Sequence, residues 1–126
     1  MKRTRLRSIS NHRKRELADY ARVRAIVAIR DGQVCVKCGE PAVDSAHIIP
    51  RSHFGRKRKN LCHTLKNVCC LCRDCHAATE NRDGRIELMC ILHDRYGYDY
   101  SMEPWKEYWV DTERTDGTGE ARVDST

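Results

Sequence analysis

Two pairs of closely spaced cysteines are the residues most clearly arranged for chemistry in this sequence. Cys35 and Cys38 form one Cys-x-x-Cys pair, which Gly39 follows, and Cys72 and Cys75 form the other. The two-residue gap lets both thiolates of a pair bind one ion from a tight turn, and two such pairs are typical of a tetrahedral zinc site. We therefore predict a structural Zn²⁺ ion held by these four cysteines.

The second pair has an alternative register, because Cys69 and Cys72 have the same spacing as Cys72 and Cys75. We prefer Cys72 with Cys75, since a helix that starts there carries the following residue inward. A second metal site that uses Cys62 and His63 is a further alternative. In the preferred register the remaining cysteines are expected to be small apolar core residues, namely Cys62, Cys69, Cys70 and Cys90.

Histidine and asparagine residues accompany the cysteine pairs. His47 lies between the pairs, Asn67 stands five residues before the second pair, and His76 directly follows it. Together these residues resemble the HNH endonucleases, and the resemblance covers about residues 33–81. Each motif alone is common, but their joint order and spacing are specific to that family, as in Cys35-x-x-Cys38, His47, Asn67 and Cys72-x-x-Cys75-His76.

The resemblance implies an α+β fold with a ββα-metal core, in which two strands and a helix surround one catalytic cation. His47 would be the general base, and an imidazole with an ordinary pKa near ~6.5 can accept a proton at neutral pH. Asn67 would orient the His47 ring through a hydrogen bond. His76 would bind Mg²⁺ or another divalent metal, while the zinc of the four cysteines would be structural only.

The sequence departs from the family pattern at Ala46, because HNH enzymes commonly carry a metal-binding Asp or His directly before the base. Asp44, two residues earlier, lies on the same side of an ideal strand. Glu80 is an i, i+4 neighbour of His76 on one helical face. We therefore expect Asp44 and Glu80 as candidate ligands of the catalytic metal.

Positive charge indicates a nucleic-acid partner. The formal net charge is +6, and seven basic residues precede the first acid, Glu16. Basic blocks neutralise phosphates and drive salt-sensitive association with DNA. We expect double-stranded DNA as the partner, and predict that a basic segment after His47 grips its backbone through Arg51, Arg56, Lys57, Arg58 and Lys59.

Periodicity predicts the supporting elements. A helix with Ser10 or Asn11 as its N-cap should run to Arg30 and end at Asp31-Gly32. Its apolar face should hold Leu17, Tyr20, Ala21, Val23, Ile26 and Val27. Short strands are expected over 43–49 and 65–71 and a helix over 73–81, then a turn over 81–84. A further helix carries Ile86, Met89, Cys90 and His93 on one face.

The chain's 126 residues suffice for one domain, and its polar composition calls for stabilisation by a metal, a disulfide or a partner subunit. We expect a flexible basic arm over 1–9, a single domain over 10–110 with its zinc-clasped core at 33–81, and a disordered acidic tail over 111–126. No signal peptide or membrane span is expected, which points to the cytoplasm. The basic arm and first helix also resemble small phage-encoded HNH proteins, which act in a bacterial host.

The predicted function is metal-dependent hydrolysis of DNA phosphodiester bonds, by nicking or double-strand cutting, without a small-molecule cofactor. The alternative is a non-catalytic zinc-finger protein of the same fold that only binds nucleic acid. A third interpretation is a treble-clef domain that binds another protein. The sequence leaves the cleavage specificity and oligomeric state open.

Overall fold

A computed structural model describes residues 10–109 of the chain. The expected arm at 1–9 and tail at 111–126 lie outside the described residues. Helices and two strands combine in an α+β fold, as predicted. Their order is α1 (Asn11–Arg30), β1 (Asp44–His47), β2 (Val68–Leu71), α2 (Arg73–Ala78), α3 (Arg82–Tyr96) and α4 (Lys106–Trp109).

The two strands form an antiparallel sheet that separates α1 from the other helices. Asp44 pairs with Leu71 and His47 with Val68, within the two segments that the sequence predicts. Both strands are shorter than expected. In β2 the reason is that the chain over Leu65–Asn67 forms a 3-10 turn instead of extended backbone. Side chains alternate across the sheet, so Ala46 packs in the main core and the side chain of Val68 packs towards α1.

The first helix begins and ends where its capping residues predict. The Ser10 hydroxyl accepts a hydrogen bond from the backbone N–H of Arg13 at 3.1 Å, as an N-cap residue does. Beyond Arg30 the chain turns at Gly32, which has a φ of 69°. Glycine takes this left-handed conformation without strain.

The buried face of α1 differs from the apolar face that the sequence predicts. Leu17, Ala21 and Ile26 are exposed to solvent. A two-stranded sheet is too narrow to cover more than one stripe of a helix, so only residues three or four apart face inward. This inward stripe has charged residues at its two ends and consists of Glu16, Tyr20, Val23, Val27 and Arg30.

Charged residues at the end of α1 fix that helix to the sheet. The buried Asp31 carboxylate accepts hydrogen bonds from the Cys70 N–H at 3.0 Å and the Tyr96 hydroxyl at 2.7 Å. Arg30 pairs with Asp31 at 2.8 Å and donates to the Val68 carbonyl at 2.9 Å. These bonds set the position of α1 against β2 and α3.

The predicted turn over 81–84 is wrong, because Arg82, Asp83 and Gly84 form the first turn of α3. Asn81 is the N-cap, and its Oδ1 accepts from the Gly84 N–H at 2.7 Å. A Cβ atom at Gly84 would lie 2.3 Å from the Thr79 Cα, so only glycine allows α3 to start this close to the end of α2.

The main core lies between the sheet, α3 and the C-terminal segment. Trp105 and Trp109 are both buried there. The core therefore supports one face of the sheet, and α1 covers the other.

Within residues 10–109 no helix is long and apolar enough to cross a membrane.

Candidate active site and metal centres

The four predicted cysteines form one cluster. The sulfur atoms of Cys35, Cys38, Cys72 and Cys75 all lie within 4.8 Å of one another. Those of Cys38 and Cys72 are 3.7 Å apart. Ligand sulfurs about 2.3 Å from one ion at tetrahedral angles are about 3.8 Å apart, so this cluster fits zinc.

Matching turns present the two cysteine pairs. The Cys38 N–H donates to Cys35 Sγ and the Cys75 N–H donates to Cys72 Sγ, each at 3.4 Å. Gly39 has a φ of 84°, which lets the backbone bend away after the first pair. The structure therefore uses the preferred register.

The cysteines outside this cluster take the place that the sequence predicts. Cys62, Cys69 and Cys70 are buried, and Cys90 is half-buried against the core. Burial raises the pKa of the Cys69 thiol, which therefore stays protonated.

Neighbouring sulfurs and backbone groups change the pKa values of thiols in this cluster. Burial acts to raise the pKa of Cys35, but backbone N–H groups, that of Cys38 foremost, outweigh it and lower that pKa. Burial and the neighbouring sulfurs raise the pKa of Cys75. Four thiolates so close repel one another, and a bound cation removes that repulsion.

His76 on α2 is held by carboxylates on both sides of its ring. Its Nδ1 lies 2.9 Å from Asp44 Oδ2, and its Nε2 lies 3.7 Å from Glu80 Oε2. Two ligand atoms about 2.1 Å from one cation are about 3.0–3.6 Å apart at bond angles of about 90–120°. The 3.7 Å between His76 Nε2 and Glu80 is just beyond this range, and Glu80 is exposed, so a small movement of its side chain would let the pair bind a divalent cation.

Asp44, which is expected from the sequence as a candidate metal ligand, contacts two basic side chains. Its carboxylate accepts from His76 Nδ1 and pairs with Arg73 at 3.1 Å. A cation on His76 Nε2 would lie on the opposite side of the imidazole ring. Asp44 therefore orients His76 and fixes its tautomer, which is the usual task of a carboxylate behind a metal-binding histidine.

One cleft of about 280 Å³ is lined by three of the expected site residues, but not by Asn67 or Asp44. His47, His76 and Glu80 line it, together with Pro50 of the following loop. Ala46 also lines this cleft, so the position where the family commonly has a ligand carries a methyl group here. The donors that face the cleft are therefore imidazoles and one carboxylate.

The His47 ring is held on the α1 side of the sheet. It stacks on the Tyr20 ring with centroids 4.7 Å apart, and its Nε2 lies 3.0 Å from His63 Nδ1. Burial, and secondarily the nearby His63, lower the pKa of His47 to about 4. His47 is therefore neutral at physiological pH, and its lowered pKa makes it a weaker base than an ordinary imidazole.

Glu16 is a site residue that sequence reasoning missed, and its partner is His63, which the sequence offered only as part of an alternative second metal site. His63 Nε2 lies 3.0 Å from Glu16 Oε2, and Glu16 is 5% exposed. The Arg51 guanidinium, assisted by Arg13, holds the pKa of Glu16 well below its ordinary range. The one available signal was that Glu16 is the first acid after a long basic stretch.

The predicted hydrogen bond between Asn67 and His47 is wrong. Asn67 is fully buried, and its Oδ1 accepts from the Ile49 N–H at 3.0 Å and Trp105 Nε1 at 2.9 Å. Its Nδ2 donates to the Ile49 and Cys62 carbonyls, each at 3.0 Å. These four bonds use the whole capacity of the amide, so Asn67 ties the loop after His47 to the core.

The expected DNA-binding residues have different surroundings. Arg51 pairs with Glu16 at 2.9 Å, and the Lys59 ammonium donates to the Arg51 and Phe54 carbonyls. These two cations therefore hold the loop together. Arg56, Lys57 and Arg58 have exposed side chains, as Arg51 does, but are outside the contacts described for Arg51 and Lys59.

Comparison with known protein families gives a match within the zinc-cluster region. The family model described as HNH endonuclease matches residues 35–83. This stretch contains both cysteine pairs, His47, Asn67 and His76. No curated protein and no solved structure matches the chain.

Proposed function

Residues 35–83 belong to the HNH endonuclease family, and from that premise we propose that this chain hydrolyses DNA phosphodiester bonds with a divalent metal. The observation that carries the proposal is the cleft in which His47 meets His76 and Glu80. A proton acceptor beside a pair of metal-binding groups is the arrangement that metal-assisted hydrolysis needs.

His47 is the proposed general base. Glu16 accepts the Nε2–H of His63, and in the tautomer whose Nδ1 carries no hydrogen, His63 accepts the Nε2–H of His47. The unprotonated nitrogen of His47 is then Nδ1. This atom takes the proton from the attacking water in the proposed reaction.

His76 Nε2 and Glu80 would hold the catalytic cation, with Asp44 behind the ring. When bound, the cation polarises the scissile phosphate and stabilises the leaving oxygen. Two protein ligands leave room for water and phosphate oxygens, a coordination that suits Mg²⁺. Zinc in the four-cysteine cluster has no open position and serves the fold.

Arg56, Lys57 and Arg58 are the proposed phosphate contacts. They follow Pro50 of the cleft within the same loop, and their charges are not used by the ion pairs and hydrogen bonds described for Arg51 and Lys59. Contacts of this kind position the duplex without reading its bases.

The test is cleavage of supercoiled plasmid in Mg²⁺, Mn²⁺, Ni²⁺ or Zn²⁺ by the wild type, His47→Ala and the exposed control His53→Gln. We expect nicked or linear product from the wild type and the control. His47→Ala should lose about a hundredfold or more in rate, the usual contribution of a general base.

The second candidate is a protein that binds nucleic acid without cutting it, which Ala46 favours. The result that would establish this candidate is folded, zinc-loaded protein that slows the electrophoretic migration of DNA in a salt-sensitive way. The same protein would give no product with any of the four metals. Equal rates for His47→Ala and the wild type would remove His47 from the mechanism.

A further inference from the structure

Three metal-binding side chains meet between α1 and the loop, away from the four cysteines. His47 Nε2, His63 Nδ1 and Cys62 Sγ all lie within 4.8 Å of one another. Cys62 is 0% exposed and His63 is 8% exposed. Two imidazoles and one thiolate are a ligand set that zinc binds in proteins.

We propose that His47, Cys62 and His63 bind a second zinc ion, or another thiophilic divalent metal, and that this ion withholds His47 from catalysis. The metal site itself is independent of the proposed nuclease function. Only the inhibitory effect rests on that function.

The nitrogen atoms are already close to the spacing that zinc requires. His47 Nε2 and His63 Nδ1 are 3.0 Å apart, whereas two nitrogens bound to one tetrahedral zinc at about 2.05 Å are about 3.3 Å apart. A shift of a few tenths of an ångström replaces the hydrogen bond by two metal bonds.

Neighbouring groups fix both rings in the orientation that binds metal. His63 Nε2 lies 3.0 Å from Glu16 Oε2, and metal-binding histidines commonly donate their second N–H to a carboxylate in this way. This bond directs the lone pair of His63 Nδ1 at the cluster. Stacking on Tyr20 restrains the ring of His47.

Metal binding changes the protonation of the proposed base. The Cys62 thiol loses its proton to solvent, and the proton of His47 Nε2 is transferred through solvent to Nδ1 as Nε2 binds the ion. One proton is released in total. His47 Nδ1 then carries a hydrogen and cannot accept one from water.

Ligand type separates this site from the catalytic one. Thiolate and imidazole select zinc and similar metals, while a carboxylate with open positions for water and phosphate suits Mg²⁺. Zinc should fill the four-cysteine cluster first and the second site at higher concentration, without displacement by Mg²⁺.

The experiment counts zinc in the full chain after titration with zinc chloride and removal of free metal. We expect about two ions per chain in the wild type and about one in Cys62→Ser and His63→Gln. The controls Cys90→Ser and His53→Gln alter a cysteine and a histidine outside both clusters and should keep about two. About one ion in the wild type, unchanged in Cys62→Ser, would overturn the site.

Two further measurements do not depend on how well the variants fold. Zinc beyond the first equivalent should shift the imidazole nitrogen resonances of two histidines in the wild type, and unshifted resonances would contradict the site. With Co²⁺, the second equivalent should add less thiolate charge-transfer absorption than the first. The second site contains one sulfur ligand, whereas the four-cysteine cluster contains four.

Activity tests the inhibitory half of the proposal. In Mg²⁺, the second zinc equivalent should slow wild-type cleavage by about a hundredfold, the contribution of a general base. Cys62→Ser should resist this inhibition. Full activity of the wild type with both zinc ions bound would overturn the inhibition. A protein that is inactive with and without the second zinc ion would overturn the proposed function. The zinc counts would then decide the site by themselves.

Discussion

Replacing Asn67 by alanine tests whether this residue serves the fold or acts directly on the proposed base. The buried amide joins the loop after His47 to the Cys62 carbonyl and the Trp105 indole through four hydrogen bonds. Asn67→Ala removes all four. It also leaves their partners in a part of the core that water does not reach.

The expected loss of stability follows from this hydrogen-bond count. A buried hydrogen bond contributes a net of about 1 kcal/mol, and a buried group left without a partner adds to the loss. We therefore expect Asn67→Ala to lower the free energy of unfolding by about 3–5 kcal/mol. This is a large part of the ~5–15 kcal/mol that stabilises an ordinary domain.

Thermal unfolding followed by circular dichroism measures the loss. A destabilisation of about 4 kcal/mol lowers the melting temperature of a domain of ~100 residues by about 15–30 °C. The matched control is Asn60→Ala, because Asn60 is exposed. Its free energy of unfolding should change by no more than about 0.5 kcal/mol.

The two roles of Asn67 predict different outcomes. If Asn67 holds the loop, Asn67→Ala melts far below Asn60→Ala, whereas His47→Ala loses cleavage and melts near the wild type. If Asn67 instead oriented His47 directly, Asn67→Ala would lose cleavage while keeping the melting temperature of Asn60→Ala. That second result would refute the reasoning.

Three other perturbations have defined outcomes. Removing zinc from the four-cysteine cluster should abolish the circular dichroism melting transition, and an unchanged melt would contradict a structural zinc. Because the folded-state pKa of Glu16 is depressed, its stabilising effect is present above the ordinary pKa near ~4.3 and is lost as the pH falls through the folded value. Denaturant midpoints of Glu16→Gln should therefore fall less than those of the wild type between about pH 5 and 2; parallel curves would exclude Glu16 as the cause. Neutralising Arg56, Lys57 and Arg58 should weaken DNA binding at all sequences and reduce the slope of log affinity against log salt by up to about 3. An unreduced slope would exclude these residues as phosphate contacts.

Local sequence patterns predicted the elements well and their packing less well. The capping residue Ser10 and the glycine at position 32 gave the ends of α1, because both act within one helical turn. The apolar face of α1 was predicted too broadly. Its width depends on a partner sheet of only two strands, which periodicity within the helix cannot reveal.

The turn predicted over 81–84 failed for a related reason. Asn81 and Gly84 are common in turns, but here Asn81 caps α3 and Gly84 allows its close approach to Thr79. The same residue types serve both structures. The position of α2 decides between them.

The sequence by itself determined the two cysteine pairs and the order of His47, Asn67 and His76, because ligand spacing within a short turn is a local property. Only the tertiary structure decided what these side chains contact. Glu16 and His63 are 47 residues apart in the chain, and they meet because packing of α1 on the sheet brings them together. The spacing of residues in the sequence cannot predict this contact, since contacts between distant residues depend on how separate elements pack.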